Sequence, residues 1–246
     1  MTFPYRTALV TGASSGIGRA ITLALAAAGV QVLAVGRDAA ALGALQADSG
    51  AVPVVADVCD RAAMAPLFVA HPIDLLVNNA GVLLTRGPFQ DGTADAIDGM
   101  IAVNLAAPLH LARLALPGMI ARGRGHLVFI GSSAGRTPHP DLAVYGATKA
   151  AIGHFCDSLR GDLLGTGVRV TEIAPGRVRS RLYRDTIGLA AVDAELYDGV
   201  DPIEPEQVAA LLLAALATPA HVDVSRIEVY PAAQAIAGTR LHRRPG

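Results

Sequence analysis

Two side chains that could together move a proton, Tyr145 and Lys149, stand four residues apart in the sequence. On a helix this spacing places both side chains on one face. A phenol with a pKa near ~10 is a poor acid-base group at neutral pH, but a neighbouring ammonium stabilises the phenolate and lowers that pKa. Ser132 lies 13 residues before Tyr145 and could hydrogen-bond the same substrate oxygen. The three residues predict acid-base catalysis, and a surface helix pair with a turn serine is the alternative.

Lys149 is also the only lysine of the chain. The sequence has 20 Lys and Arg residues, and all of them except Lys149 are Arg. A GC-rich genome that replaces lysine codons would explain this bias without any function. The functional explanation is that this position needs an ammonium, for which a guanidinium does not substitute.

A glycine-rich turn offers a place for phosphate groups. Residues 11–18, TGASSGIG, follow the first predicted strand and lead into a helix. Glycines allow a tight turn and a close backbone approach, and the unpaired N–H groups of a helix start can bind a pyrophosphate. The turn therefore predicts a dinucleotide site, and an ordinary strand-to-helix turn is the alternative.

The end of the second predicted strand distinguishes the two nicotinamide dinucleotides. NAD sites usually place an acid here for the adenosine ribose, whereas sites for the 2′-phosphate supply an arginine. This strand ends in Gly36, which carries no carboxylate, followed by Arg37. Asp38 is expected to cap the next helix. We therefore predict NADP(H) rather than NAD(H), with a solvated Arg37 as the alternative.

The elements that must position these residues alternate along the chain. Nearly continuous apolar runs, typical of strands buried on both faces, alternate with helical patterns. This order predicts an α/β fold: one Rossmann-type, doubly wound parallel sheet of about seven strands with helices on both faces, in a single domain over residues 1–246. Residues 175–202 have no clear periodicity and are predicted to form a substrate and cofactor lid loop. The predicted strands are 7–11, 30–35, 52–56, 73–77, 126–130, 168–173 and 227–230, and the predicted helices include 18–28, 39–47, 95–121, 145–164 and 205–217.

Composition excludes several classes of protein. The chain is 52% hydrophobic and 17% charged with a formal net charge of -1, which argues against disorder and against a nucleic-acid or membrane-surface partner. No apolar run is expected to span a membrane and no secretory leader is recognised, so a cytoplasmic protein is predicted. Cys59 and Cys156 are expected to be free, buried thiols. The histidines show no metal-ligand spacing, and no metal is predicted.

Several segments together resemble the short-chain dehydrogenase/reductase family in their order and spacing. The resemblance covers essentially the whole chain. The motifs that carry it are residues 11–18, the segment Asn78-Asn79-Ala80-Gly81, Asn104, Ser132, the pair Tyr145 and Lys149, and the segment Pro175-Gly176-Arg177-Val178.

The resemblance implies a role for each matching catalytic residue. Asn104 matches the residue that holds a water in a proton relay, and Ser132 matches the one that orients the substrate oxygen. Tyr145 matches the acid-base. Lys149 matches the lysine that lowers the pKa of the tyrosine and binds the nicotinamide ribose. The family chemistry is hydride transfer between C4 of the nicotinamide and a carbonyl carbon.

The resemblance also implies the cofactor contacts. Gly12, Gly16 and Gly18 match the pyrophosphate turn, and Asp57 with Val58 matches the pair at the adenine. Residues 79–81 match the segment at the cofactor ribose, and residues 175–178 match the loop at the nicotinamide carboxamide, with Ser180 where the family often has threonine. The residues predicted to bind NADP(H) are Gly12, Ser14, Ser15, Gly16, Ile17, Gly18, Arg37, Asp57, Val58, Asn79, Ala80, Gly81, Tyr145, Lys149, Pro175, Gly176, Val178 and Ser180.

The substrate is narrowed by two further features. Residues 145–150, 167–176, 219–222 and 227–234 are similar to an NADP-dependent branch that acts on serine-like 3-hydroxy acids. Arg177, Arg179, Arg181 and Arg184 crowd the loop after the nicotinamide motif, and a cationic loop favours an anionic substrate. Alternatively these arginines meet cofactor phosphates or solvent. Arg136, His139 and Leu142 are expected to line the pocket.

Other functions are kept open. The enzyme could instead reduce neutral ketones or sulfonated aldehydes, and a non-catalytic NADP-binding regulator is the alternative from another class. A regulator has no need for Ser132, Tyr145 and Lys149 together, which favours the enzyme. The resemblance also implies a homotetramer that pairs the helices predicted at 95–121 and 145–164.

Overall fold

The parallel sheet is built from the apolar runs of the sequence. The structure is a computed structural model that describes residues 4–183, 186, 188, 196, 197, 199–236 and 242. Its strands are β1 (Thr7–Thr11), β2 (Gln31–Gly36), β3 (Val52–Val55), β4 (Leu75–Asn78), β5 (Gly125–Ile130), β6 (Val168–Pro175) and β7 (Arg226–Val229). All of them pair in parallel in the order β3-β2-β1-β4-β5-β6-β7.

Helices cover both faces of this sheet. The helices are α1 (Gly16–Ala27), α2 (Ala39–Ser49), α3 (Arg61–Ala70), α4 (Ala94–Ile101), α5 (Ala107–Ala121), α6 (Ala143–Asp162) and α7 (Pro205–Leu216). Side chains of α1, α2 and α7 form one core with the sheet, and side chains of α3, α5 and α6 form the other. Because β1, β4, β5 and β6 contribute side chains to both cores, their sequences are apolar without alternation.

The strand order reverses between β1 and β4, which are neighbours in the sheet. The chain leaves β1 toward one edge of the sheet and leaves β4 toward the other, so their carboxyl ends part and open a crevice. Ligands of open α/β sheets bind at such a point. The glycine-rich turn follows β1 and the segment 79–81 follows β4, so both motifs lie at this crevice.

The α/β class, the doubly wound sheet and the seven strands are confirmed, and the strand bounds differ by at most two residues. The helix predicted over 95–121 is not one regular α-helix. A π-helical segment, Ala102–Ala106, separates α4 from α5. The helix α3 is not among the helices named from the sequence, because it contains Pro66 and buries only Met64.

Two expectations require correction. Cys156 is buried as expected, but Cys59 is exposed, since it lies in the turn that precedes α3. The continuous helical run Ala94–Ala121 is long and apolar enough to cross a membrane by length and composition, although no such run was expected. A core helix of a globular protein passes the same test, and α5 packs against β4, β5 and α3.

Candidate active site

A cleft of about 940 Å³ opens at the carboxyl ends of the central strands. It extends from the glycine-rich turn at one end to the loops after β4, β5 and β6 at the other. Predicted site residues form much of its wall. Those that line it are Gly12, Ser14, Ser15, Gly16, Ile17, Arg37, Asp57, Val58, Asn79, Ala80, Gly81, Ser132, Tyr145, Lys149, Pro175, Gly176, Val178 and Ser180.

The glycine-rich turn has the geometry that a phosphate group needs. Gly12 and Gly16 have φ of 64° and 51°, a conformation that side chains other than glycine rarely adopt. Ser15 is the N-cap of α1 and makes no side-chain capping bond, so the first N–H groups of the helix face the cleft without a side-chain acceptor from Ser15. Gly18 does not line the cleft. A Cβ there would overlap the carbonyl oxygen of Gly12, so this glycine permits close packing of helix on strand.

A short hydrogen-bond system joins the turn to the segment after β4. The Thr11 hydroxyl accepts bonds from the backbone N–H groups of Asn79 and Ala80, each at 3.0 Å. The Asn79 side-chain amide donates to the carbonyl oxygens of Thr11 and Gly12, at 2.8 and 3.3 Å. The crevice between β1 and β4 is thus held at a fixed width by side chains of both its walls.

The end of β2 supports the expected discrimination between dinucleotides. A Cβ on Gly36 would lie 3.3 Å from Ser14 Oγ, and Arg37 is exposed on the cleft wall. The Asp38 carboxylate accepts a bond from Ala41 N at 3.0 Å and caps α2, as predicted. The Asp57 carboxylate accepts from Cys59 N at 2.9 Å and shapes the turn after β3.

Tyr145 and Ser132 meet in the middle of the cleft. Ser132 follows β5 and its hydroxyl accepts a bond from Ala134 N at 3.1 Å, while Tyr145 lies in the first turn of α6 and is 6% exposed. Burial raises the pKa of Tyr145, the nearby Tyr183 raises it further, and a hydrogen bond with Ser132 acts in the opposite direction. The expected lowering of the tyrosine pKa is therefore not found with these side chains alone, because burial outweighs the other influences.

Lys149 lies one helical turn beyond Tyr145. Its ammonium donates to the carbonyl oxygen of Ile130 at 2.8 Å and is 5.8 Å from the centroid of the Tyr145 ring. Burial lowers the pKa of Lys149 to about 8, and the carboxylate of Glu172 opposes that shift. The amine is thus held beside the phenol and at the floor of the cleft.

Asn104 lies in the π-helical segment and is 1% exposed. Its side-chain oxygen accepts from Val82 N at 2.8 Å, and its amide donates to Val82 O at 2.9 Å and to Thr148 Oγ at 3.4 Å. Through these bonds Asn104 ties the loop after β4 to α6. Its side chain does not line the cleft. The water relay implied by the family resemblance stays a prediction.

The loop after β6 is anchored by two side chains that the sequence did not point to. The Gln234 carbonyl oxygen accepts from Arg177 N at 2.9 Å, and the Tyr197 hydroxyl donates to Val178 O at 2.9 Å. Residues 184, 185, 187, 189–195 and 198 of the predicted lid lie outside the described residues. Neither hydrogen bond could be predicted from the sequence, because the two partners lie 57 and 19 residues apart.

The far end of the cleft carries more basic than acidic side chains, since three arginines and Asp141 line it. Arg177 and Arg181 line it as expected of the arginine-rich loop, and Arg86, which was not predicted, joins them from the loop after β4. His139 and Leu142 line this end as expected, and so does Tyr183, which was not predicted.

Two arginines do not follow the expectation. Arg136 does not line the cleft, since its guanidinium pairs with Glu228 at 3.1 Å. Arg179 also points away, pairing with Glu204 at 3.0 Å and lying 4.8 Å from the Tyr197 ring centroid. Arg184 lies outside the described residues. Within the part of the chain that the structure describes, no group of three or more His, Cys, Asp and Glu side chains could hold a metal ion.

The sheet carries a glycine-rich turn after β1 and a set of Ser, Tyr and Lys side chains after β5. These features are typical of the dinucleotide-dependent oxidoreductases. Residues 6–187 match the family model of the short chain dehydrogenases. The chain belongs to the short-chain dehydrogenase family.

Relatives and solved structures match along nearly the whole chain. An uncharacterized short-chain type dehydrogenase/reductase of Sinorhizobium fredii is 48% identical over 97% of this chain and 96% of its own. An NADP-dependent 3-hydroxy acid dehydrogenase of Escherichia coli is 36% identical over 96% of this chain and 99% of its own. The closed form of a serine dehydrogenase complexed with NADP⁺ has a TM-score of 0.91 and 35% identity, covering 97% of this chain and all of that one.

Proposed function

We propose that this chain is an NADP(H)-dependent oxidoreductase that interconverts a small anionic alcohol, of the 3-hydroxy acid class, and its carbonyl product. The observation that carries the proposal is the meeting of Ser132, Tyr145 and Lys149 at the middle of a cleft that begins at a phosphate-binding turn. Similarity to NADP-dependent 3-hydroxy acid dehydrogenases and to a serine dehydrogenase supports it.

The cleft fits NADP(H). Gly12 and Gly16 have no side chain, which leaves the backbone of the turn bare and allows phosphate oxygens to approach the N–H groups at the start of α1. Arg37 supplies a guanidinium for the 2′-phosphate, and Gly36 places no carboxylate that would repel it. A bound nicotinamide supplies the hydride chemistry.

Tyr145 exchanges the proton of the substrate oxygen. Its phenol gives a proton to the substrate oxygen in reduction and takes one in oxidation, while Ser132 hydrogen-bonds the same oxygen. The ammonium of Lys149 stabilises the phenolate that remains after reduction. Asn104 holds the π-helical segment against α6 through Val82 and Thr148.

The anionic substrate class is supported by the cationic end of the cleft. Arg86 and Arg181 come from the loops after β4 and β6 and line the same cleft as Tyr183 and His139. Burial and the neighbouring Arg177 lower the pKa of His139, so the imidazole adds no charge at neutral pH. Guanidinium groups from two loops can bind a carboxylate while Tyr145 faces the reacting oxygen.

The reaction is tested by nicotinamide absorbance with NADP⁺ or NAD⁺ against 3-hydroxy acids and neutral secondary alcohols. We expect turnover of a 3-hydroxy acid with NADP⁺ and a loss of about 10²- to 10⁴-fold in kcat/KM for Tyr145→Phe. Tight NADPH binding without turnover of any alcohol would instead favour the regulator.

The substrate class is tested by Arg86→Gln and Arg181→Gln. Each variant should lower kcat/KM for the 3-hydroxy acid by about tenfold or more and leave a neutral alcohol unchanged, because a charge-assisted bond is lost. Arg179→Gln is the matched control, since that arginine pairs with Glu204 outside the cleft lining. Equal effects on both substrates would reject the anion site and keep the oxidoreductase.

We also propose a cytoplasmic homotetramer. Ile101 at the end of α4 and Ile120 in α5 are 41% and 42% exposed, so these helices present apolar side chains that a second copy could cover. Light scattering should give four times the mass of the 25.2 kDa chain. A monomer mass would reject this assembly without affecting the proposed chemistry.

A further inference from the structure

A carboxylate is buried beneath the catalytic helix. Glu172 lies in β6 and is 1% exposed. Burying a charged group in a protein interior is costly unless other charges or hydrogen bonds compensate. We therefore ask which neighbouring group the Glu172 carboxylate acts on.

The space for this carboxylate is left by two glycines of the site. A Cβ on Gly131 would overlap Oε1 of Glu172, and a Cβ on Gly153 would lie 3.2 Å from Oε2. Gly131 directly precedes Ser132, and Gly153 lies four residues after Lys149 on the same face of α6. The carboxylate thus fills the gap between the strand end that carries Ser132 and the helix that carries Tyr145 and Lys149.

A chain of ion pairs leads from Glu172 to the surface. Arg226, its register partner in β7, donates from Nε to Oε2 at 2.6 Å. The same guanidinium donates to Asp157 Oδ2 at 3.0 Å, and Arg160 donates to Asp157 Oδ1 at 2.9 Å. The charges in this chain of ion pairs alternate in sign from Glu172 through Arg226 to Asp157. Glu172 is its buried, negatively charged end and lies next to the active site.

We propose that Glu172 is a positioning residue that acts through Lys149: its carboxylate, which lies against Gly131 and Gly153 beneath the amine, holds the Lys149 amine in its charged form. The catalytic meaning of this inference rests on the proposed function, because the charged lysine is needed for the Tyr145 phenolate. The electrostatic part concerns only the protein and can be tested without substrate.

The surroundings of Lys149 support this assignment. Burial lowers the pKa of Lys149 to about 8, and Glu172 is the group that opposes the shift. The carbonyl oxygen of Ile130 accepts the hydrogen bond of the amine but carries no charge. Tyr145 lies beside the amine, and Tyr183 of the loop after β6 lies beside Tyr145. On the other side, Cys156 of α6 and Arg226 of β7 lie beside Glu172, and Asp157 lies beyond Arg226.

The chain offers a direct measurement. Because Lys149 is the only lysine, the full-length protein labelled with [ε-¹³C]lysine gives one side-chain signal, whose pH titration reports this amine alone. Glu172→Gln keeps the shape and removes the charge. We expect it to lower the titration midpoint by about one pH unit or more.

The direction of the shift separates charge from loosened packing. Loosened packing would admit water and raise the midpoint toward the ordinary value near ~10.4, whereas loss of the carboxylate lowers it. Asp157→Asn is the matched control, which removes a carboxylate at the exposed end of the same chain and should shift the midpoint by less than half as much. Glu172→Asp retains the charge and should stay closer to the parent midpoint.

An unchanged or raised midpoint in folded Glu172→Gln would overturn the proposal. If that variant does not fold, Glu172→Asp decides, since its withdrawn carboxylate should still lower the midpoint, and no downward shift there rejects the proposal. If the proposed function also holds, the pH at which kcat/KM falls on the alkaline side should move down with the midpoint. A midpoint that shifts without any measurable turnover would keep the role of Glu172 and reject the reaction.

Discussion

Burial acts in opposite directions on the two acid-base side chains of the cleft. It raises the pKa of Tyr145 and lowers the pKa of Lys149 to about 8, so both shifts favour the uncharged form. The phenol therefore retains its proton at neutral pH, as a donor in carbonyl reduction must. The Lys149 ammonium is then the only charge of this pair, and its lowered pKa makes that charge depend on the groups around it.

Replacement of Lys149 by arginine tests whether an ammonium is required there. Lys149 is 5% exposed and its amine bonds to Ile130 O at 2.8 Å, a position that the larger planar guanidinium cannot reproduce. We expect Lys149→Arg to lower kcat/KM by about 100-fold or more. Circular dichroism should show an intact fold. Retained activity would mean that the absence of other lysines reflects codon bias alone.

Residue-scale inference from the sequence placed side chains correctly where one short segment holds the whole signal. The location of Tyr145 and Lys149 one turn apart on a helix and the capping role of Asp38 are of this kind. Glu172 and Arg86 gave no such signal, because their importance comes from strands and loops that meet only in the fold. The burial of Tyr145, which reverses the expected change of its pKa, is likewise a property of the assembled site.

At the scale of elements, the Thr11 hydroxyl is one of two side-chain groups, with the Asn79 amide, that join β1 to the segment after β4. Thr11 accepts two backbone hydrogen bonds and donates to Val77 O at 3.3 Å, so its removal leaves two N–H groups of the segment after β4 without this acceptor. A side chain within a strand therefore helps to fix the width of the crevice next to the phosphate turn.

Thr11→Val measures that contribution. Valine has nearly the same shape, so the expected loss of about 1–3 kcal/mol of unfolding free energy comes from unsatisfied donors rather than from packing. Urea denaturation measures it. Thr22→Val is the control, because the buried Thr22 hydroxyl bonds to Gly18 O within its own helix at 2.9 Å. Equal losses in both variants would contradict a special role for Thr11.

Element boundaries were predictable where the pattern is local. Long apolar runs indicate the buried strands, and their bounds follow within two residues. The π-helical segment could not be predicted, since it coincides with bonds from Asn104 to Val82 and Thr148, which are distant in sequence. The helix α3 likewise gave no clear pattern, because it contains Pro66 and buries only Met64.

At the scale of the whole molecule, a buried polar chain joins the N-terminal segment to the far strands. Arg169 donates to the Tyr5 hydroxyl and to the carbonyl oxygen of Leu216 at the end of α7. The Tyr5 hydroxyl is 2.8 Å from His126 Nδ1, and His126 Nε2 is 2.8 Å from the Thr171 hydroxyl, which donates to Val224 O at 2.7 Å. With every donor pointing the same way along this chain, His126 is neutral and carries its proton on Nε2.

This chain of buried hydrogen bonds makes the free energy of unfolding depend on pH. Burial, with Arg169 adding to it, lowers the pKa of His126 to about 3. The unfolded chain binds a proton at His126 below about pH 6.5 and the folded chain does not, so stability falls as pH decreases from 6.5 toward 3. The expected loss between pH 7 and pH 5 is about 2 kcal/mol.

Unfolding free energies of the parent and of His126→Gln at several pH values test this dependence. Glutamine can donate and accept in the same chain but does not titrate, so the variant should lack that part of the slope. The same pH slope in both proteins would assign the acid sensitivity to other groups.

The lone lysine has a further consequence for how the molecule can be cut. An endoprotease that cleaves only after lysine has one target in the chain, Lys149, and that bond lies inside α6 beneath the cleft. A folded helix does not fit a protease active site, so cleavage requires α6 to unwind. The rate of cleavage into two fragments therefore measures how often α6 unwinds. A ligand that fills the cleft should lower this cleavage rate.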